Sequence, residues 1–136
     1  MWTSLIGFMA SGKTTVAASL QAVTKRPVVH LDAHVSTAAG RPVAAIFAEE
    51  GEPAFRAREL ASLAALDPGR NLVVDTGGGI VETAAAVALL RERGVVIWLD
   101  APWETLRARL ESAPPGERPL VGALGWSGLA ELYRRR

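Results

Sequence analysis

Nine consecutive residues near the start of the chain, Gly7-Phe8-Met9-Ala10-Ser11-Gly12-Lys13-Thr14-Thr15, carry the spacing of a phosphate cradle, G-x-x-x-x-G-K-[ST]. Gly7 and Gly12 let the backbone wrap, so that successive N–H groups, including those of Ala10 and Ser11, face a β-phosphate. A helix opening at Lys13 adds its partial positive charge through Thr14 and Thr15. Lys13 supplies a point charge for the β- and γ-phosphates, and the Thr14 hydroxyl is suited to Mg²⁺. The chain has two lysines against thirteen arginines, and one of the two stands at this position. ATP with Mg²⁺ is the ligand that this pattern predicts.

A second constellation is Leu72-Val73-Val74-Asp75-Thr76-Gly77-Gly78-Gly79. An acid at the end of a buried strand beside the phosphate loop is where a Mg²⁺-ordering carboxylate belongs, and Asp75 fills that place. Gly77, Gly78 and Gly79 then allow backbone amides to come close to a ligand.

These groups have to be held by alternating strands and helices. Trp2–Ile6 and residues 28–31, 72–74 and 95–99 are short apolar runs without polar alternation, the mark of strands buried on both faces. Helical patterns are predicted over 13–22, Val43–Glu50, 53–66, 82–93 and Trp103–Glu111, with Pro53, Pro102, Gly51 and Gly94 as starts and stops. The order β-α-β-α-α-β-α-β-α calls for right-handed crossovers in an α/β/α domain with a parallel sheet. Residues 113–128 hold Pro114, Pro115, Gly116, Pro119, Gly122, Gly125 and Gly128, and read as an irregular functional loop, a lid. Trp98 and Trp103 read as packing residues, and Arg134, Arg135 and Arg136 as a solvated, frayed end.

Composition narrows the partners. At 136 residues, 49% hydrophobic and 21% charged, the chain reads as one globular domain, 1–136. A formal net charge of +1 argues against nucleic acid, and the lack of cysteine excludes disulfides and thiolate zinc sites. Residues 1–10 are apolar but lack a basic leader, and no run is long enough to span a bilayer. A cytoplasmic monomer acting on a small molecule, away from membranes, is the expectation.

Together the motifs resemble the shikimate kinase family of small P-loop kinases, from about Leu5 to Tyr133. After the phosphate loop the resemblance rests on Leu31-Asp32-Ala33-His34, on Gly40-Arg41 with Ile46-Phe47, and on Gly51-Glu52-Pro53-Ala54-Phe55-Arg56 with Glu59. It continues through Gly77-Gly78-Gly79, Trp98-Leu99, Arg109-Leu110 and Arg118-Pro119-Leu120. The resemblance implies a sheet ordered 2-3-1-4 and transfer of the ATP γ-phosphoryl group to the 3-hydroxyl of shikimate. It implies that Asp32 holds Mg²⁺ through water, that Arg56 pairs with the substrate carboxylate, and that Gly78 and Gly79 contact substrate by backbone N–H. Arg109 lies against adenine on this reading, and Arg118 in the lid closes over the transferring group.

Three departures accompany the resemblance. The family's Asp-x-Asp is matched to Asp32-Ala33-His34, which puts His34 where an acid grips the substrate hydroxyl; a neutral imidazole can accept that hydrogen bond and that proton. Leu129 stands where a further substrate-binding arginine is expected, four residues before Tyr133. A fifth strand and a closing helix are expected after residue 136 and are not in the chain as given. Two other readings therefore stand beside the first: a kinase for another small hydroxylated acid or polyol, and a nucleotide-binding protein without kinase activity.

Overall fold

A computed structural model describes residues 1–114 and 119–136 of the chain. Arg118, the expected lid arginine, lies outside the described residues.

Four parallel strands form one sheet: β1 (Trp2–Ile6), β2 (Val28–His30), β3 (Val73–Asp75) and β4 (Gly94–Trp98). Their order is β2-β3-β1-β4, as expected, with Thr3 opposite Val73 and Val95, and Val28 opposite Val73. Neighbouring residues bury opposite faces, which explains the unbroken apolar runs. Trp2, Val29 and Val74 pack with Leu63 of α4 (Glu52–Ala64) and with Ala86 and Leu90 of α5 (Ala84–Arg93) on one side. Leu5, Val28 and Val73 pack with Ala17 and Leu20 of α1 (Lys13–Thr24) on the other. β4 is an edge, and Val95, Ile97 and Trp98 are exposed there. Trp98 is therefore a surface residue and not the packing residue its type suggested.

Two elements differ from the sequence-based expectation. The second strand stops at His30, and a helix, α2 (Leu31–Ala39), begins at once, followed by α3 (Val43–Glu50). Leu31 and Val35 share its buried face at i and i+4, and Gly40 ends it in the left-handed conformation at φ 67°. The apolar Leu31 reads in sequence as the last residue of the strand, but it is the first residue of this helix.

The second difference is in the segment read as an irregular lid. From Pro119 onward it is helical, forming α7 (Pro119–Arg135) after α6 (Trp103–Glu111). Pro119 suits a first helical position, and the helix is interrupted at Gly125, where φ 66° and ψ 177° leave helical geometry. Apolar residues on both sides of the kink compensate for the glycines: Leu120, Val121, Trp126, Leu129, Leu132 and Tyr133 gather with Phe8 and Leu106 in one cluster.

Candidate active site

The carboxyl ends of β1, β2 and β3 open into a cavity of about 870 Å³. Open α/β sheets place ligands at this edge because the strands end there and the helix N-termini point inward.

The phosphate loop forms one wall. Gly12 caps α1 at φ 100° and Ala10 takes φ 63°, so the loop turns through two left-handed residues and aims its amides into the cavity. No acidic residue occupies the first turn of α1. Lys13 is buried and folds back, donating from Nζ to the carbonyls of Gly7 at 2.8 Å and Phe8 at 3.1 Å. Arg109 on α6 donates from Nη1 to the Ala10 carbonyl at 2.8 Å and lines the same cavity. Gly7, Ser11, Thr14 and Thr15 complete the loop, and all of them except Gly7 line the cavity.

At the floor, Asp75 Oδ2 accepts from Thr14 Oγ1 at 2.8 Å and lies 2.8 Å from His30 Nδ1. Thr76 fastens the end of β3 to β1 by donating from Oγ1 to the Leu5 carbonyl at 2.7 Å.

The far end is charged. Asp32, in the first turn of α2, faces Gly77, where an added Cβ would lie 2.8 Å from Asp32 Oδ1 and 3.1 Å from Glu59 Oε2. Glu59 is fully buried; its Oε1 accepts from Arg56 Nη1 at 2.9 Å, and its Oε2 has no hydrogen-bond partner among the described residues. Arg56 also donates to Glu52 Oε1 at 3.3 Å, and its Nε is likewise buried without a partner. Gly78 lines the cavity, and Gly79 leaves no room for a side chain because the Arg56 guanidinium occupies the place of a Cβ.

Burial raises the Asp32 carboxyl above its ordinary pKa, and the nearby Asp75 charge raises it further against the pull of Arg56 and Lys13. Burial raises Glu59 too, opposed chiefly by Arg56.

Lys13, Thr14, Asp32, Asp75, Gly77, Gly78 and Arg109 thus meet at one cavity; Arg56 and Gly79 do not line it, and Arg56 lies against Gly79, the residue after the lining Gly78. His34 does not line it and is exposed on α2. The imidazole that does line it is His30, two residues before Asp32 on the last position of β2. The inward pair is His30 and Asp32, two residues earlier than the Asp32 and His34 matched to the family's Asp-x-Asp, and it becomes visible only once the strand is seen to end at His30. Leu129 is fully buried against Phe8, Leu106 and Leu132 and does not face the cavity.

The model of the shikimate kinase family matches residues 9–133. This chain belongs to the shikimate kinase family. It is 47% identical over 117 residues to a shikimate kinase of Synechococcus sp. (strain JA-3-3Ab), covering 86% of this chain and 61% of that protein. It is 46% identical over 117 residues to the Symbiobacterium thermophilum enzyme, covering 86% and 67%. The chain thus spans less than two thirds of the length of the first of these relatives. Among solved structures, the shikimate kinase of Bacteroides thetaiotaomicron superposes with a TM-score of 0.87 at 25% identity, covering 99% of this chain and 76% of that one. The Acinetobacter baumannii shikimate kinase, solved in complex with shikimate, gives 0.77 at 32% identity, covering 98% and 78%. No described helix is long and apolar enough to cross a membrane.

Proposed function

We propose that the chain transfers the γ-phosphoryl group of ATP to the 3-hydroxyl of shikimate. The observation that carries this reading is one cavity running from the phosphate loop to Asp32 and Gly78, with Arg56 and Glu59 behind them. A nucleotide fits the first end, and a small acid bearing hydroxyls fits the second.

The donor set fits Mg²⁺. The Thr14 hydroxyl and Asp75 supply hard oxygens, with Asp32 in reach through water. Mg²⁺ is commonly bound by one or two carboxylates together with the nucleotide's own phosphates, and Thr14 and Asp75 offer that set. When bound, the ion neutralises charge on the transferring group.

Lys13, now held by two loop carbonyls, turns to the β- and γ-phosphates. The amides of Ala10 to Thr15 cradle the phosphates, and Arg109 covers the base. Asp32, with its raised pKa, accepts the proton of the attacking hydroxyl. Arg56 holds the carboxylate as a planar, bidentate donor. The amides of Gly77, Gly78 and Gly79 border the substrate, and Arg118 keeps the lid role that the resemblance gives it. The rest is positioning and charge neutralisation. A monomer in the cytoplasm, where ATP is supplied, completes the proposal.

Calorimetric titration tests it: Mg-ADP binds first, and shikimate then binds to the nucleotide-loaded chain. Heat from nucleotide but none from shikimate would move the reading to another small hydroxylated acid or to a role without catalysis.

A further inference from the structure

The imidazole of His30 lines the cavity and has no part in the reading above. His30 is the last residue of β2, and the register of the sheet sets it opposite Asp75, the last residue of β3. Side chains two apart on a strand share a face. Val28 and Val73 pack on Ala17 of α1, so His30 and Asp75 lie on that same face, one step past the apolar layer. There they meet the first turn of α1, which carries Thr14.

Asp75 is nearly buried, with 8% of its side chain exposed, while His30 is half-exposed at 49%. Asp75 Oδ2 receives two bonds, one from Thr14 Oγ1 and one from His30 Nδ1, each at 2.8 Å. A carboxylate oxygen only accepts, so the hydrogen of the second bond belongs to Nδ1. Two donors arriving from different elements, a helix and a neighbouring strand, fix the rotation of the carboxylate about Cβ–Cγ. Packing does not require an imidazole here: Val28, Val29 and Leu31 around it are apolar, and half of the side chain stays exposed. Carboxylates that hold metals are commonly oriented by such outer partners, and loss of the partner costs about 10–100-fold in metal affinity.

We propose that His30 is a positioning residue for the metal: its Nδ1–H fixes Asp75, and Asp75 with the Thr14 hydroxyl then holds the Mg²⁺ of the bound nucleotide. His30 thereby sets how much more tightly the nucleotide is held with Mg²⁺ than without it. Metal-free ADP, held by the loop amides and Lys13, does not draw on it. The inference rests on the Mg-nucleotide reading of the cleft, and its test separates the two.

ADP is titrated into the parent, His30→Phe, His30→Asn and His30→Gln chains, once with EDTA and once with saturating Mg²⁺. Asparagine can set an amide N–H where Nδ1 stands, whereas glutamine reaches to the place of Nε2. The parent should bind ADP more tightly with Mg²⁺. His30→Phe and His30→Gln should lose most of that gain, by about tenfold, and His30→Asn should keep most of it. With EDTA all four chains should bind ADP alike. Electron paramagnetic resonance of Mn²⁺ bound with ADP gives a second readout free of turnover. Its spectrum should change in His30→Phe and His30→Gln and return to the parent's in His30→Asn. If phenylalanine prevents folding, the contrast between asparagine and glutamine carries the test. The proposal is overturned if His30→Gln keeps the parent's gain, if His30→Asn loses as much as His30→Gln, or if the variants weaken ADP equally with EDTA. A Mn²⁺ spectrum that is the same in all four chains also overturns it. In each of these cases a parent that still gains from Mg²⁺ leaves the Mg-nucleotide reading standing. A parent that binds ADP equally with and without Mg²⁺ overturns both.

Discussion

Leu129→Arg places an arginine where the family resemblance expects one, and the structure predicts that it damages the fold without improving the site. Leu129 is fully buried between Phe8, Leu106 and Leu132. Removing a buried leucine side chain forfeits about 1.5–3 kcal/mol of transfer free energy. The guanidinium that replaces it finds an apolar cluster, and an unpaired buried charge costs several kcal/mol more. The sum, about 5 kcal/mol or above, is a third or more of the roughly 5–15 kcal/mol that holds a typical domain. At roughly 3–5 °C per kcal/mol for a chain of this size, the melting temperature should fall by about 15 °C or more. Leu129→Met, which conserves volume, should cost less than about 1.5 kcal/mol. Thermal unfolding followed by circular dichroism reads all three chains, and shikimate titration follows on any that stay folded. A Leu129→Arg chain that melts with the parent and binds shikimate more tightly would refute the reasoning, because residue 129 would then face the cleft and the register of α7 would be wrong.

Three further outcomes are expected. Lys13→Met should lower kcat/KM by about a thousandfold, as loss of a group neutralising transition-state charge does, and should cut the heat of Mg-ADP binding; unchanged nucleotide heat would count against the phosphate-cradle role. Asp32→Asn should abolish turnover without lowering the melting temperature at pH 7. A carboxyl whose pKa is raised by folding opposes the fold once it is ionised, so its loss costs no stability there; Asp32 is open to solvent, which screens any gain, and what gain there is should vanish as pH falls and Asp32 itself becomes protonated. Glu82 behaves oppositely: the hydrogen bond from Arg136, helped by Arg135, lowers its pKa from 4.5 to about 2. Its contribution is fully present above pH 4.5 and is lost as pH falls towards 2, so Glu82→Gln should be less stable at pH 7 and show a weaker acid dependence; parallel acid-unfolding curves for the two chains would contradict this.

The parts of the molecule that were legible in the sequence are those set by local pattern. Trp2–Ile6 and the glycine-lysine loop that follows it are contiguous, so strand, cradle and α1 could be read together, and Asp75 took its place from the end of a buried run. The parts that were missed depend on packing between distant segments. α2 was hidden because Leu31 reads equally well as the end of a strand; separately, the family's Asp-x-Asp is matched to Asp32-Ala33-His34, whereas the pair lining the cavity is His30 and Asp32. α7 was hidden by its glycines and prolines, which propensity counts against a helix, although six apolar residues on it are gathered by Phe8 and Leu106. Arg136 looked like a solvated end because its partners, Glu82 and Gly79, are more than fifty positions away in the chain. No local pattern encodes such a meeting.

The most direct test of the central claim is ³¹P NMR of the purified chain incubated with Mg-ATP and shikimate. The account predicts that the γ-phosphate signal of ATP is replaced by a phosphate monoester on the 3-hydroxyl in equal amount with ADP, and that Asp32→Asn forms none. ADP appearing with inorganic phosphate alone, or no consumption of ATP while Mg-ADP still binds, would contradict it.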